Sequence, residues 1–198
     1  MLAGIAALAL LGGCGSSHGS TSPAPASSTG AAQEGGGALA ADARSAATGD
    51  IPDSQNFLTL KDSQLRLSMI YPEGWTVQRT GSAVTIQDKN NLVRISLTAG
   101  SRPTASDVRA QLAALKRLTP TLAAGAVRPV SLKSGPAVRA SYTTQSAPNL
   151  VTGKSVKLTV DRYVLGHAGR VAVIDLGTPV GVDNVDAYKR MIESFKWL

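Results

Sequence analysis

The sequence holds one cysteine, Cys14, and two histidines, His18 and His167, in 198 residues. One thiol excludes an internal disulfide framework and any cysteine-rich zinc site. Two histidines so far apart exclude a local His-rich metal motif. Aromatic residues make up 4% of the chain. The bases are scattered, never more than two together, rather than interleaved with stacking side chains, so no nucleic-acid partner is expected. No apolar run approaches the ~20 residues that span a bilayer. Acids are also scarce, 13 against 20 Lys and Arg, and the net charge is +7. The imbalance is uneven. Before Phe57 stand four acids and one base; from Phe57 onward, nine acids and 19 bases, or +10. A surplus of that size attracts anionic lipid, wall polymer or another anionic ligand.

What is present begins with an uncharged stretch, residues 2–13, LAGIAALALLGG. It has the length and small-residue ending of a signal-peptide apolar core, so residues 1–13 are read as a signal peptide. The basic n-region of such peptides is missing, which leads us to expect a start upstream of Met1. Leu11-Gly12-Gly13-Cys14 resembles a bacterial lipobox: an aliphatic residue, two small ones, then cysteine. The resemblance implies that the Cys14 sulfur receives a diacylglycerol and that the leader is cut before it. The new amine would then be acylated, leaving the chain on the outer face of the cell membrane. The other reading is an ordinary secretory cleavage site with a chance cysteine. One acyl chain holds a protein only marginally, at ~0.8 kcal/mol per buried methylene; two or three hold it durably.

Residues 15–56 are rich in Gly, Ala, Ser, Thr and Pro, with few bulky apolar side chains. Such a stretch cannot bury enough surface to offset its ordering entropy, so it reads as a disordered linker, with the lipidated Cys14 at its head. As a coil it would span ~35 Å r.m.s.. His18 falls here, without ligand partners nearby.

From Phe57 the texture changes. Leu65, Leu67, Met69 and Tyr71 alternate with polar neighbours, as in a strand. YPEGW at 71–75 is a turn. Strands follow at 75–79 and 83–88, a hairpin turn at Lys89-Asn90-Asn91, and a strand carrying Val93, Ile95 and Leu97. Thr104 and Asp107 form a capping-box variant before a helix with Val108, Leu112, Leu115 and Leu118 on one face. Residues 127–132 and 136–144 make a strand pair around Ser134-Gly135. Residues 156–165 and 170–176 make another, turned at 166–169. A last helix from about Asp183 buries Val185, Tyr188, Ile192 and Phe195, with Met191 beside them. The order predicts an α+β domain over 57–198, a central antiparallel β-sheet flanked by helices.

Three places carry a family resemblance: YPEGW at 71–75, Ser134-Gly135-Pro136-Ala137 with Tyr142 following, and Tyr188 with Ile192-Glu193-Ser194-Phe195-Lys196. In this order and spacing they resemble the Mog/PsbP superfamily. That group includes photosystem II extrinsic proteins, Ran-binding nuclear proteins of the Mog type and LpqN-like lipoproteins of actinobacteria. The resemblance covers residues 57–198 and implies an α-β-α sandwich. It implies no shared catalytic set, since a fold does not give a function.

Candidate sites are few. His167 lies in the Gly-flanked turn at 166–169. A catalytic histidine needs a nucleophile and an orienting carboxylate. The domain has no cysteine and no Gly-x-Ser-x-Gly setting, so His167 reads as a solvated turn residue. A four-residue turn at 166–169 sets Asp161 and Asp175 nearly opposite each other. They would form an acid pair or metal site, or else pair with Arg162, Arg139 or Lys157, which we favour. A slip of one residue would put them on opposite faces. Gly177-Thr178-Pro179-Val180-Gly181 suits a phosphate loop by position but lacks the lysine and spacing, and reads as a plain connection. Trp75 and Trp197 read as core. The loop at 146–153 offers Leu150 and Val151 as binding contacts, or is an ordinary hairpin connection.

The expectation is a membrane-anchored lipoprotein acting as a non-catalytic binding or scaffold module for an envelope protein or an amphiphile. No catalytic residue, cofactor or metal is assigned. A direct binder of anionic lipid or wall polymer is the alternative. An envelope hydrolase using His167, Asp161 and Asp175 is the third reading.

Overall fold

The computed structural model describes residues 48–149 and 153–198. Chain order gives five strands, a helix, four strands, a helix and a short strand. These are β1 (Phe57–Asp62), β2 (Leu67–Pro72), β3 (Thr76–Thr80), β4 (Ala83–Asp88), β5 (Asn91–Ala99), α1 (Ala105–Leu118), β6 (Ala123–Leu132), β7 (Gly135–Gln145), β8 (Lys157–His167), β9 (Arg170–Pro179), α2 (Val185–Ser194) and β10 (Lys196–Trp197). Seven strands form an antiparallel sheet in the order β3-β4-β5-β9-β8-β7-β6; β1, β2 and β10 form a smaller sheet. The α+β expectation holds. β1 is an addition, because its exposed-exposed-buried texture hides the alternation.

The large sheet separates two apolar layers. Against its inner face pack the small sheet and α2, with Leu67, Met69, Ile86, Ile95, Ile174 and Phe195 in one cluster. Against its outer face packs α1, whose Val108 and Leu112 meet Val138, Val164 and Val160. Alternation decides which layer each strand residue joins.

The capping box at α1 is formed: Asp107 N–H donates to Thr104 Oγ1 at 3.2 Å, and Thr104 N–H donates to Asp107 Oδ2 at 2.8 Å. The apolar stripe is shorter than expected. Leu118 is 84% exposed, because the last turn of α1 runs past the patch that Val108 and Leu112 fill. Val185, in the first turn of α2, is likewise exposed; Tyr188, Met191 and Ile192 carry the burial, and Phe195 completes it just past the helix end.

The fold also starts earlier than Phe57. The Gly49 carbonyl accepts from Asn91 Nδ2 and Asn184 Nδ2, and Ile51 N–H donates to Asn184 Oδ1 at 2.7 Å. Residues 49–51 are therefore bound to the domain, not part of a free linker. Polar side chains in the body of the domain hold them, which composition alone cannot reveal.

Gly166 makes a close approach. A Cβ there would sit 2.8 Å from Arg102 Cα. Backbone cannot give way as a flexible side chain can, so Gly166→Ala is expected to cost about 1–3 kcal/mol. Denaturant unfolding of the variant measures it.

Candidate functional site

α1 covers only part of the outer face. Beyond it lies an open groove of about 680 Å³. One end is the β4–β5 turn, with Lys89, Asn90 and Asn91; one wall is Gln145 with the segment 146–149 after β7; the floor is β8 and β9. Leu115 closes it on the helix side.

The floor is set by register. Arg94 in β5 lies opposite Asp175 in β9, which lies opposite Arg162 in β8. Arg162 grips Asp175 with both ends of its fork: Nε donates to Oδ1 at 2.7 Å and Nη2 to Oδ2 at 2.8 Å. Both side chains are nearly buried, 12% and 13% exposed. Burial works against the Arg162 charge, yet the bond and charge of Asp175 carry its pKa above the ordinary value. The Arg162 guanidinium stands 5.5 Å from the Tyr142 ring centre. Arg94 is exposed and makes no ion pair among the described residues. The adjoining row reads Leu92, Gly177, Val160 and Tyr142, of which Leu92, Val160 and Tyr142 line the groove.

Burial, and after it the Asp175 charge, push the Tyr142 phenol up to about 12, with Arg162 pulling the other way. The folded state thus favours the neutral phenol. Its contribution to stability is full below the ordinary tyrosine pKa of ~10 and is lost as pH rises through about 12. Tyr142→Phe is expected to flatten the stability loss across that alkaline window, as read from unfolding midpoints against pH.

The two aspartates do not meet. The β8–β9 turn is two residues long, Ala168 and Gly169, both with positive φ, rather than four. His167 therefore pairs with Arg170, and Asp161 faces Leu176. Asp175 is one residue off that pairing, so Asp161 lies on the inner face and Asp175 on the outer. Asp161 is held by Arg139, whose Nε and Nη2 donate to it at 3.2 and 2.7 Å. Ion pairing, the favoured reading, accounts for both acids. Among the described residues no cluster of three or more metal-ligating side chains occurs.

His167 is exposed at the end of β8 and stacks on Trp197 at 5.7 Å, with Arg170 on the same indole at 5.0 Å. Trp75 and Trp197 both pack, partly buried, against the inner core. The segment 177–181 is no phosphate loop: β9 continues to Pro179, and Asn184, at the helix start, turns its side chain inward to Thr178 and Asn91 instead of capping α2. Leu150 and Val151 lie outside the described residues, as does Cys14. The neighbouring residues 146–149 do form a groove wall. Sequence reading missed Arg94; the signal was available, since Val93, Ile95 and Leu97 on one face leave Arg94 on the other.

The sequence matches no family model and no curated protein. Solved structures are similar in fold. The solution structure of cyanobacterial PsbP from Synechocystis aligns over 76% of this chain and 98% of its own, with a TM-score of 0.55 and 14% identity. The Ran-binding protein Mog1p of Saccharomyces cerevisiae aligns over 72% and 95%, with a TM-score of 0.48 and 10% identity. A Bacteroides thetaiotaomicron protein aligns over 71% of this chain and 48% of its own, with a TM-score of 0.46 and 16% identity. At such identity the cyanobacterial match speaks to architecture alone, and in architecture this domain is PsbP-like.

Proposed function

We propose that the chain is a lipoprotein, anchored through Cys14 to the outer face of the cell membrane, whose domain is a non-catalytic binding module of the cell envelope. The groove on the outer face of the large sheet carries this reading. It is concave, it mixes apolar surface with a few fixed polar groups, and its volume of about 680 Å³ suits a small ligand. Its charged floor is already paired and buried, which suits holding a ligand more than proton transfer.

A photo-crosslinker at Thr144, in the groove, is compared in intact cells with one at Thr59, on the small sheet. The binding reading expects a specific adduct at Thr144 only. Equal labelling at both sites, or none at either, counts against it.

The anchor is tested separately. Cys14→Ala is expected to move the protein from the membrane to the soluble fraction. Retention on the membrane would overturn the lipid anchor.

The exposed bases of α1, Arg109, Lys116 and Arg117, favour a second reading, in which the domain also binds anionic lipid or wall polymer directly. That reading expects binding to anionic vesicles that weakens steeply with salt, and none to neutral ones.

A further inference from the structure

We propose that the groove binds an amphiphile with an anionic head, the head meeting Arg94 and the chain lying along Leu92 and Val160. This rests on the groove being a ligand site and adds the charge and shape of its occupant.

The first ground is the charge along one row of the sheet. Arg94, Asp175 and Arg162 stand side by side, one carboxylate for two guanidiniums. Both carboxylate oxygens are engaged by Arg162. The surplus charge therefore sits on Arg94, among the residues that line the groove. An anion there completes the row, and it does so beside a low-dielectric wall, where a charge-assisted hydrogen bond is stronger than in open water.

The second ground is the surrounding field. The exposed bases Arg109, Lys116 and Arg117 lie on α1, on the groove side of the sheet. The one acid of α1, Asp107, is occupied in the capping box. The exposed acids Asp53, Asp183 and Asp186 gather around the start of α2, across the sheet from the groove. An anion at the groove lies in the field of the bases of α1.

The third ground is shape. Leu92, Leu115, Leu158 and Val160 line the groove together with Arg94 and Arg162, so an apolar wall adjoins the cationic row. A free inorganic anion would satisfy Arg94 and leave that wall in contact with water. An alkyl chain covers it.

The test titrates the isotope-labelled full-length chain with dodecyl phosphate below its micellar concentration, with inorganic phosphate, and with dodecyl maltoside. Dodecyl phosphate is expected to shift the amide signals of Leu92, Arg94 and Val160. Arg94→Glu should weaken it at least about tenfold, the scale of one charge-assisted hydrogen bond. Lys133→Glu, exposed in the β6–β7 turn and outside the groove, should leave affinity within about twofold at physiological salt. If dodecyl maltoside binds the same residues as tightly and Arg94→Glu changes nothing, the anion is overturned while the groove remains a ligand site. If inorganic phosphate binds as tightly as dodecyl phosphate, the amphiphile is overturned. If neither detergent shifts groove signals in a folded protein, the ligand site falls with the inference.

Discussion

Asp175→Ala is expected to destabilise the domain by about 3–5 kcal/mol, the cost of stranding a buried partner charge. Arg162 is 12% exposed. Without Asp175 its guanidinium stays in that position, beside Arg94 across the same row, and among the described residues lining the groove it has no second acid to turn to. Replacing both partners by apolar residues, Arg162→Met with Asp175→Leu, should recover most of the loss, because the charge and its desolvation leave together. Asp161→Ala is the contrast. Its pair with Arg139 has the same forked geometry, but the two side chains are 28% and 32% exposed. Water reaches both groups, so that change should cost no more than about 1 kcal/mol. Denaturant midpoints for the single and double variants decide the matter. Equal losses at Asp161 and Asp175 would mean that burial does not separate the two pairs.

The same two aspartates mark where sequence reading stopped. Alternation at Val93, Ile95 and Leu97, the capping box at Thr104 and Asp107, and the hairpin positions were legible, because each is a local rule with a local cause. That both acids would pair with arginines was legible too. Which face each acid occupies called for exact register: turns of two and of four residues both leave Asp161 and Asp175 one residue out of opposition, hence on opposite faces, and reading them as nearly opposite passed over that. The length of the turn was not legible, because Ala168 at positive φ shortens it and alanine gives no advance sign of that. The groove was hidden for a different reason. It exists because α1 is too short and too far to one side to cover the sheet, and coverage is a property of packing between distant segments. Leu118 shows the same limit: its spacing fits the apolar stripe, and the helix has simply run past the surface it packs on.

Asn184 was not singled out by any local rule, yet replacing it should rank among the most damaging changes in the chain. Asn184→Leu keeps the volume and removes the amide. The two hydrogens of Asn184 Nδ2 are shared among the Gly49 carbonyl, Asn91 Oδ1 and Thr178 Oγ1, at 3.1, 3.0 and 2.9 Å. Its Oδ1 accepts from Ile51 N–H at 2.7 Å. The residue is 2% exposed, so water cannot replace these bonds without opening the structure. Each net bond contributes about 1 kcal/mol, and each partner stranded in the interior costs about 1–3 kcal/mol, some of which Asn91 recovers through its own bond to Gly49. A loss of about 2–4 kcal/mol follows. Stability alone would not separate this from any core change. Hydrogen exchange at Ile51 does, because that amide has Asn184 as its acceptor. In Asn184→Leu the Ile51 amide should lose protection relative to the amides of β8 and β9, while Phe195→Ala, which opens the inner core, should lower protection across the sheet. If Ile51 stays protected in Asn184→Leu, the segment leading toward Cys14 is held to the domain by its apolar contact with the core and not by this amide.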